Sequence, residues 1–308
     1  IVVLGGGPAG YVAAIRASQL GGDVTLIEKK EIGGVCLNKG CIPTKALIAG
    51  ASLLQKIKTS SRFGIDIKDV SLDFSILQAH KEKAVSALVK GIEYLLNKNK
   101  VKTLKGEGRI ISPNKIRIKM KDGEETLEAE RIIIATGSSS INLPGLEIDG
   151  KIVLGSDEAL EIKEIPSSFL IVGGGAIGLE FANIFHTLGS EVTIVELLDS
   201  LVPFEDRDLG RATYRTLTKE GIAIYLESRV SEIKKNEMEA TVTISTPEGA
   251  KEINVEKVLI SIGRRPNIDS FELTNLGIKF TKKGIEINDE METTLNGVYA
   301  IGDVTGRS

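Results

Sequence analysis

Two cysteines are the most reactive side chains in the chain. Both lie in one short stretch, Gly33-Gly34-Val35-Cys36-Leu37-Asn38-Lys39-Gly40-Cys41-Ile42-Pro43-Thr44-Lys45. A disulfide closing so short a loop removes little entropy from the unfolded chain, so a purely structural bridge accounts poorly for the pair. Two inert buried thiols are the plain alternative. A redox role needs two sulfurs near enough to bridge, one of them open to a substrate. The two histidines, His80 and His186, do not combine with these cysteines into a structural zinc spacing. No metal site is expected.

The elements that must position such a pair are legible in a repeat. Residues 1–28 read IVVLGGGPAGYVAAIRASQLGGDVTLIE and residues 169–196 read FLIVGGGAIGLEFANIFHTLGSEVTIVE, matching at 10 of 28 positions without gaps. An offset of 168 residues is too long for a solenoid and marks two copies of one domain type. Each copy opens with a continuous apolar run (1–4, 169–172), the pattern of a parallel strand buried on both faces. A G-x-G-x-x-G follows, at Gly5, Gly7 and Gly10 and again at Gly173, Gly175 and Gly178. An amphipathic helix then runs to Gly21 or Gly189, and a second strand (24–27, 192–195) ends at Glu28 or Glu196. Glycines at these positions permit a tight turn and close approach of backbone to a pyrophosphate at the helix N-terminus. The acid can accept hydrogen bonds from ribose hydroxyls. One such motif alone is weak; strand, helix, spaced acid and duplication together point to two dinucleotides. Glu196 would repel a 2′-phosphate, and Leu197 and Leu198 follow where an NADP site wants arginine, so the second site is expected to prefer NAD.

The remaining texture supports the same scheme. Residues 75–98 have helical periodicity, and 101–136 read as short strands with Asp122-Gly123 as a hairpin turn. The second copy repeats this with strands at 240–245 and 253–262. Each half is a βαβ unit with an antiparallel insertion, closed by a strand and a glycine at 132–137 and 258–263. The expected fold is α/β, with two Rossmann-like dinucleotide-binding domains. The 308 residues fit two domains of about 150, divided as 1–143, 144–268 and a return segment 269–308, with 141–150 as the hinge. Lys plus Arg number 39 against 42 Asp plus Glu, a net charge of -3, which excludes a strongly basic nucleic-acid or membrane-surface protein. No apolar run approaches the ~20 residues of a membrane span.

The segment GGVCLNKGCIPTKAL closely resembles the active-site segment of the flavoprotein disulfide reductases, and within that family the dihydrolipoamide dehydrogenases. Ala135-Thr136-Gly137 resembles the strand-end motif beside FAD, and Ile262-Gly263-Arg264-Arg265-Pro266-Asn267 its equivalent beside NAD. Val298-Tyr299-Ala300-Ile301-Gly302-Asp303 resembles the returning FAD segment. The resemblance runs from Ile1 to Ser308.

What it implies is carried onto matching positions only. Cys36 corresponds to the interchange thiol that meets the substrate, and Cys41 to the thiolate that meets the flavin. Lys45 resembles the lysine near the flavin ring, and Glu180 its carboxylate partner. Gly5, Gly7, Pro8, Ala9, Gly10, Glu28, Lys45, Gly108, Ala135, Thr136, Gly137, Gly302 and Asp303 resemble FAD contacts, Asp303 at the ribitol. Gly173, Gly174, Gly175, Ala176, Ile177, Gly178, Glu196, Val230, Gly263 and Arg264 resemble NAD contacts. The implied reaction is oxidation of dihydrolipoamide through a Cys36–Cys41 redox disulfide with NAD as acceptor. The implied partner is the lipoyl domain of 2-oxo acid dehydrogenase complexes, with a homodimer for the full-length parent.

The family continues for about a hundred residues past its Gly-Asp segment, supplying a dimer interface and a histidine base. That part is absent from this chain, and His80 and His186 stand in no matching motif. The chain is therefore expected to be truncated and weak with lipoamide. Other readings are a related NAD(P)H-dependent disulfide or mercuric reductase, or a nucleotide-binding or diaphorase fragment. The chain opens on an apolar strand-like run without a charged stretch ahead of an apolar one, so no secretory signal is read and a cytoplasmic or mitochondrial-matrix location is expected.

Overall fold

The computed structural model describes residues 1–142, 144–268 and 273–306. The domain limits expected at 143, 269 and 308 fall outside these, as does Leu143 within the expected hinge. The chain divides into two units, Ile1–Cys41 with Ala84–Ser139 and Arg264–Ser308, and Ile42–Lys83 with Ser140–Gly263.

The first unit is built on a parallel sheet of five strands, in the order Val298–Ala300, Ile132–Ile134, Val2–Leu4, Thr25–Glu28, Lys102–Lys105. The central strand is buried along its length, as its unbroken apolar sequence requires. Gly5, at φ +108°, turns the chain from that strand into the helix Pro8–Gln19. A side chain is excluded there, because a Cβ would lie 2.2 Å from the Ala135 carbonyl oxygen. Pro8 suits the first helical turn, where no amide partner is needed. The insertion is an antiparallel meander of Glu107–Ser112, Lys115–Met120 and Gly123–Glu128. Its middle strand alternates: Ile116 and Ile118 are fully buried while Lys115, Arg117 and Lys119 face water. Those isoleucines pack with Val2, Leu4, Ile27, Ile132 and Ile134 in one core cluster.

The second unit repeats the plan in the order Ala223–Tyr225, Glu191–Val195, Ser168–Val172, Lys257–Ile260, Val153–Leu154, again all parallel. Alternate residues of Ser168–Val172 serve two cores. Phe169 and Ile171 pack beneath the helix Ala176–Leu188, with Phe169 and Phe185 edge to face at 4.8 Å. Leu170 and Val172 pack with Val242, Ile244, Val258 and Ile260 on the other face. The meander here is Arg229–Lys235, Ala240–Thr246 and Gly249–Val255.

The α/β class, the Rossmann-like sheets and the antiparallel insertions stand as expected. One boundary does not. The stretch 253–262 is not a single strand, because it divides between the meander and the parallel sheet at Glu256. That carboxylate accepts the Ser167 N–H at 2.8 Å and the Ser167 hydroxyl at 3.0 Å. The Glu256 N–H donates to the Ser168 hydroxyl instead of to a ladder partner. The break falls at the charged pair Glu256-Lys257. No helix among the described residues is long and apolar enough to cross a membrane.

Candidate functional site

The two glycine loops are built alike. Gly7 and Gly175 cap their helices in extended conformation. A Cβ on Gly175 would have nothing within 4 Å, and one on Gly7 would meet only the Gly34 Cα at 3.8 Å. Both loops therefore leave open space over the helix N-terminus, where first-turn N–H groups have no intrahelical partner. The cradle fits the pyrophosphate of a dinucleotide.

The strand-end acids brace these loops. Glu28 accepts the Gly6 N–H at 2.6 Å and the Lys30 N–H at 2.7 Å. Glu196 accepts the Gly174 N–H at 2.6 Å and the Leu198 N–H at 2.8 Å. Each carboxylate spends one lone pair per oxygen on the backbone and keeps others for ligand hydroxyls. Glu196 is buried, so any group facing it meets a negative charge little screened by water.

Cys36 lies on the short helix Gly34–Lys39, and Cys41 begins the helix Cys41–Lys58. Close packing delivers them. A Cβ on Gly34 would sit 2.6 Å from the Gly7 Cα, so the cysteine helix starts hard against the first cradle. The break between the two helices falls at Gly40, where a Cβ would lie 3.0 Å from the Val35 carbonyl oxygen and 3.2 Å from the Cys36 Cα. Asn38 ties the short helix down by donating to the carbonyls of Ile32 and Gly34. Both cysteines are free thiols, Cys36 half-buried and Cys41 exposed, joined by a side-chain hydrogen bond. Burial first, then that bond and the nearby Cys41 and Asp303, push the Cys36 thiol up to about 11.

Lys45 and Glu180, far apart in sequence, are brought into an ion pair within the second unit, with Glu180 the fifth residue of its helix. In the first unit, Gly302 adopts φ +73°, and a Cβ there would lie 2.8 Å from the Ala9 Cβ. This contact sets Asp303 beside the start of the first-copy helix. Gly108 is a packing position, since a Cβ would reach 2.6 Å from the Leu4 Cδ2. Val230 is half-buried against the second unit's core. His80 is exposed and His186 half-buried, each within a helix.

Arg264, expected beside the second nucleotide, is grouped with the first unit, where its Nε and Nη2 donate to the hydroxyl and carbonyl oxygens of Ser138. The neighbouring residues are zipped together too. The Thr136 hydroxyl donates to the Asn267 carbonyl, and the Asn267 side-chain amide donates to the Thr136 carbonyl, both at 2.9 Å. Ser138 was not singled out from sequence, and Asn267 only as the last residue of a motif. Their only signal is position, directly after the closing glycine and at the end of the Arg-Arg-Pro-Asn run.

With two glycine cradles, braced acids and a dithiol against the first cradle, the fold and site define a nucleotide-dependent disulfide oxidoreductase. The family model for pyridine nucleotide-disulphide oxidoreductases matches residues 1–308, and the chain belongs to that family. Proteins of this family are flavoprotein oxidoreductases that use FAD and NAD(H). A dihydrolipoyl dehydrogenase of Bacillus subtilis is 42% identical over 310 residues, covering 99% of this chain and 67% of that protein. Among solved structures, LpdA of Mycobacterium tuberculosis superposes with a TM-score of 0.91 at 26% identity, covering all of this chain and 68% of that one. The HOCl-induced flavoprotein disulfide reductase RclA of Escherichia coli gives 0.85 at 30% identity, with 100% and 66% coverage. The chain spans about two thirds of the length of these relatives.

Proposed function

We propose that the chain carries the two nucleotide sites and the redox dithiol of a dihydrolipoamide dehydrogenase, with FAD at the first cradle and NAD at the second. The observation that carries this reading is the packing of the cysteine helix on Gly7, which puts Cys36 and Cys41 beside the first cradle with their sulfurs in contact. In the oxidised form the two sulfurs share a disulfide. One thiolate of dihydrolipoamide attacks Cys36 Sγ, forming a mixed disulfide and releasing Cys41 as a thiolate. The second substrate sulfur then attacks the first, closing the lipoamide disulfide and releasing Cys36, which takes up a proton. Two electrons and two protons leave the substrate, and the dithiol on the protein is the reduced product. FAD held at the first cradle would supply the redox chemistry that links this dithiol to NAD.

The chain's other groups position and bias these steps. Lys45, held by Glu180, is read as the cation at the flavin, and Asp303 as the acceptor for its ribitol. Gly5, Gly7, Pro8, Ala9, Gly10 and Glu28 would hold FAD, and Gly173 to Gly178 with Glu196 would hold NAD. The buried charge of Glu196 supports NAD over NADP. The parent protein is read as a homodimer serving the lipoyl domain of 2-oxo acid dehydrogenase complexes, in bacterial cytoplasm or mitochondrial matrix.

The test is Cys36→Ser in the flavin-loaded protein. Lipoamide turnover should vanish while electron transfer from NADH to a dye persists. Lipoamide turnover in that variant would overturn the assignment. Glutathione disulfide reduction with NADPH would favour a related reductase instead.

A further inference from the structure

The residues that directly follow the closing glycine in the two copies, Ser138 after Gly137 and Arg264 after Gly263, meet each other in the first unit. Short strands Ser138–Ser140 and Arg264–Pro266 pair there. The Arg264 Nε donates to the Ser138 hydroxyl at 2.8 Å, and its Nη2 to the Ser138 carbonyl at 2.7 Å. Ser138 is buried, and its hydroxyl has one proton to give. With Arg264 donating in, that proton must go out, and it goes to Asp303 Oδ2 at 2.7 Å. The result is a directional chain, guanidinium to hydroxyl to carboxylate, ending on an exposed aspartate whose other oxygen has no hydrogen bond among the described residues.

We propose that Arg264 and Ser138 are positioning residues for the flavin, orienting Asp303 so that its open oxygen faces the first nucleotide, and that Arg264 is not an NAD contact. This inference rests on reading the first cradle as the FAD site. The relay has a second consequence, which is independent of any cofactor. Asp303 is one of the groups acting on Cys36, together with Cys41, and Tyr11 feels Cys36 in turn. A guanidinium linked to the Asp303 carboxylate offsets part of its negative charge at the thiol.

The experiment compares Arg264→Met, Arg264→Lys, Ser138→Ala and Asp303→Asn with the unsubstituted chain. FAD and NADH binding are titrated separately, and Cys36 alkylation by iodoacetamide is followed across pH in the reduced, cofactor-free protein. Arg264→Met and Ser138→Ala should weaken FAD about tenfold while NADH binding changes less than twofold, and Arg264→Lys should fall between. A variant carrying both Arg264→Met and Ser138→Ala should be no worse than Arg264→Met, because both residues act through one chain. In the thiol assay, Arg264→Met should slow Cys36 alkylation about threefold at fixed pH, and Asp303→Asn should speed it. Loss of NADH affinity with FAD unchanged in Arg264→Met would overturn the proposal, as would alkylation that ignores all four substitutions. An unsubstituted chain that takes up no FAD would instead refute the reading of the first cradle. The thiol assay would still decide whether the relay exists.

Discussion

Adding one methyl group to each copy's third motif glycine separates the two nucleotide sites. Glycine in a helix ordinarily costs ~1 kcal/mol relative to alanine, so Gly→Ala should stabilise wherever space allows. Gly91 meets that condition, with nothing within 4 Å of its Cβ position. Gly10 and Gly178 do not. A Cβ on Gly10 would lie 1.8 Å from the Gly5 carbonyl oxygen, and one on Gly178 would lie 2.1 Å from that of Gly173. Backbone carbonyls cannot swing aside like a side chain. To reach even 3.0 Å, the helix must withdraw from its strand by about 1.2 Å in the first copy and 0.9 Å in the second. Overpacking of this kind costs about 1–3 kcal/mol. It also carries the helix N-terminus away from the pyrophosphate position, and misplacement near 1 Å costs about 100-fold where geometry matters. Fluorescence titration of each variant with FAD and with NADH, alongside thermal unfolding, reads both effects. Gly10→Ala should lose FAD about 100-fold and keep NADH within about threefold, while Gly178→Ala does the reverse. Gly91→Ala should hold both and unfold no earlier. Equal loss of both cofactors from either variant, or retention of both, would refute the two-cradle reasoning.

Three further outcomes follow from particular contacts. Thiolate is the reactive form, and Cys36 is pushed up to about 11, so its alkylation in the reduced, cofactor-free protein should rise about tenfold per pH unit from 7 to 10; a plateau below pH 9 contradicts it. The Lys45 and Glu180 side chains are 59% and 35% exposed, so Lys45→Met should shift stability by less than about 1 kcal/mol. Lipoamide turnover should nonetheless fall at least ~10-fold, and unchanged turnover would deny Lys45 its place at the flavin. Lys81 is buried, donating to the Leu160 carbonyl at 2.7 Å and to Glu161 at 3.2 Å. Lys81→Met leaves that carbonyl only the longer bond from the Gln78 amide at 3.3 Å and should cost about 1 kcal/mol in denaturant unfolding without altering either nucleotide affinity.

Much of the molecule is written in local pattern. A buried parallel strand, a glycine turn, an amphipathic helix and an acid at a fixed spacing are short-range features, and duplication made them unmistakable in residues 1–28 and 169–196. The redox pair was equally local, with Gly34 and Gly40 flanking Cys36 in the same stretch. The division of 253–262 into two strands was not legible, because the deciding contact joins Glu256 to Ser167 across 89 residues. Nor was the meeting of Ser138 with Arg264, 126 residues apart, since a serine or arginine after a glycine carries no periodicity.

Sequence by itself determined the two nucleotide cradles, their order and the presence of a dithiol, because each depends on backbone freedom and side-chain chemistry within about thirty residues. Only the tertiary structure decided that the cysteine helix abuts Gly7, that Lys45 finds Glu180, and that Arg264 braces Asp303 through Ser138. It also decided that Cys36 is the less exposed thiol and that burial pushes it up. Burial and through-space charge are properties of what surrounds a residue in space, and that environment exists only once the chain has folded.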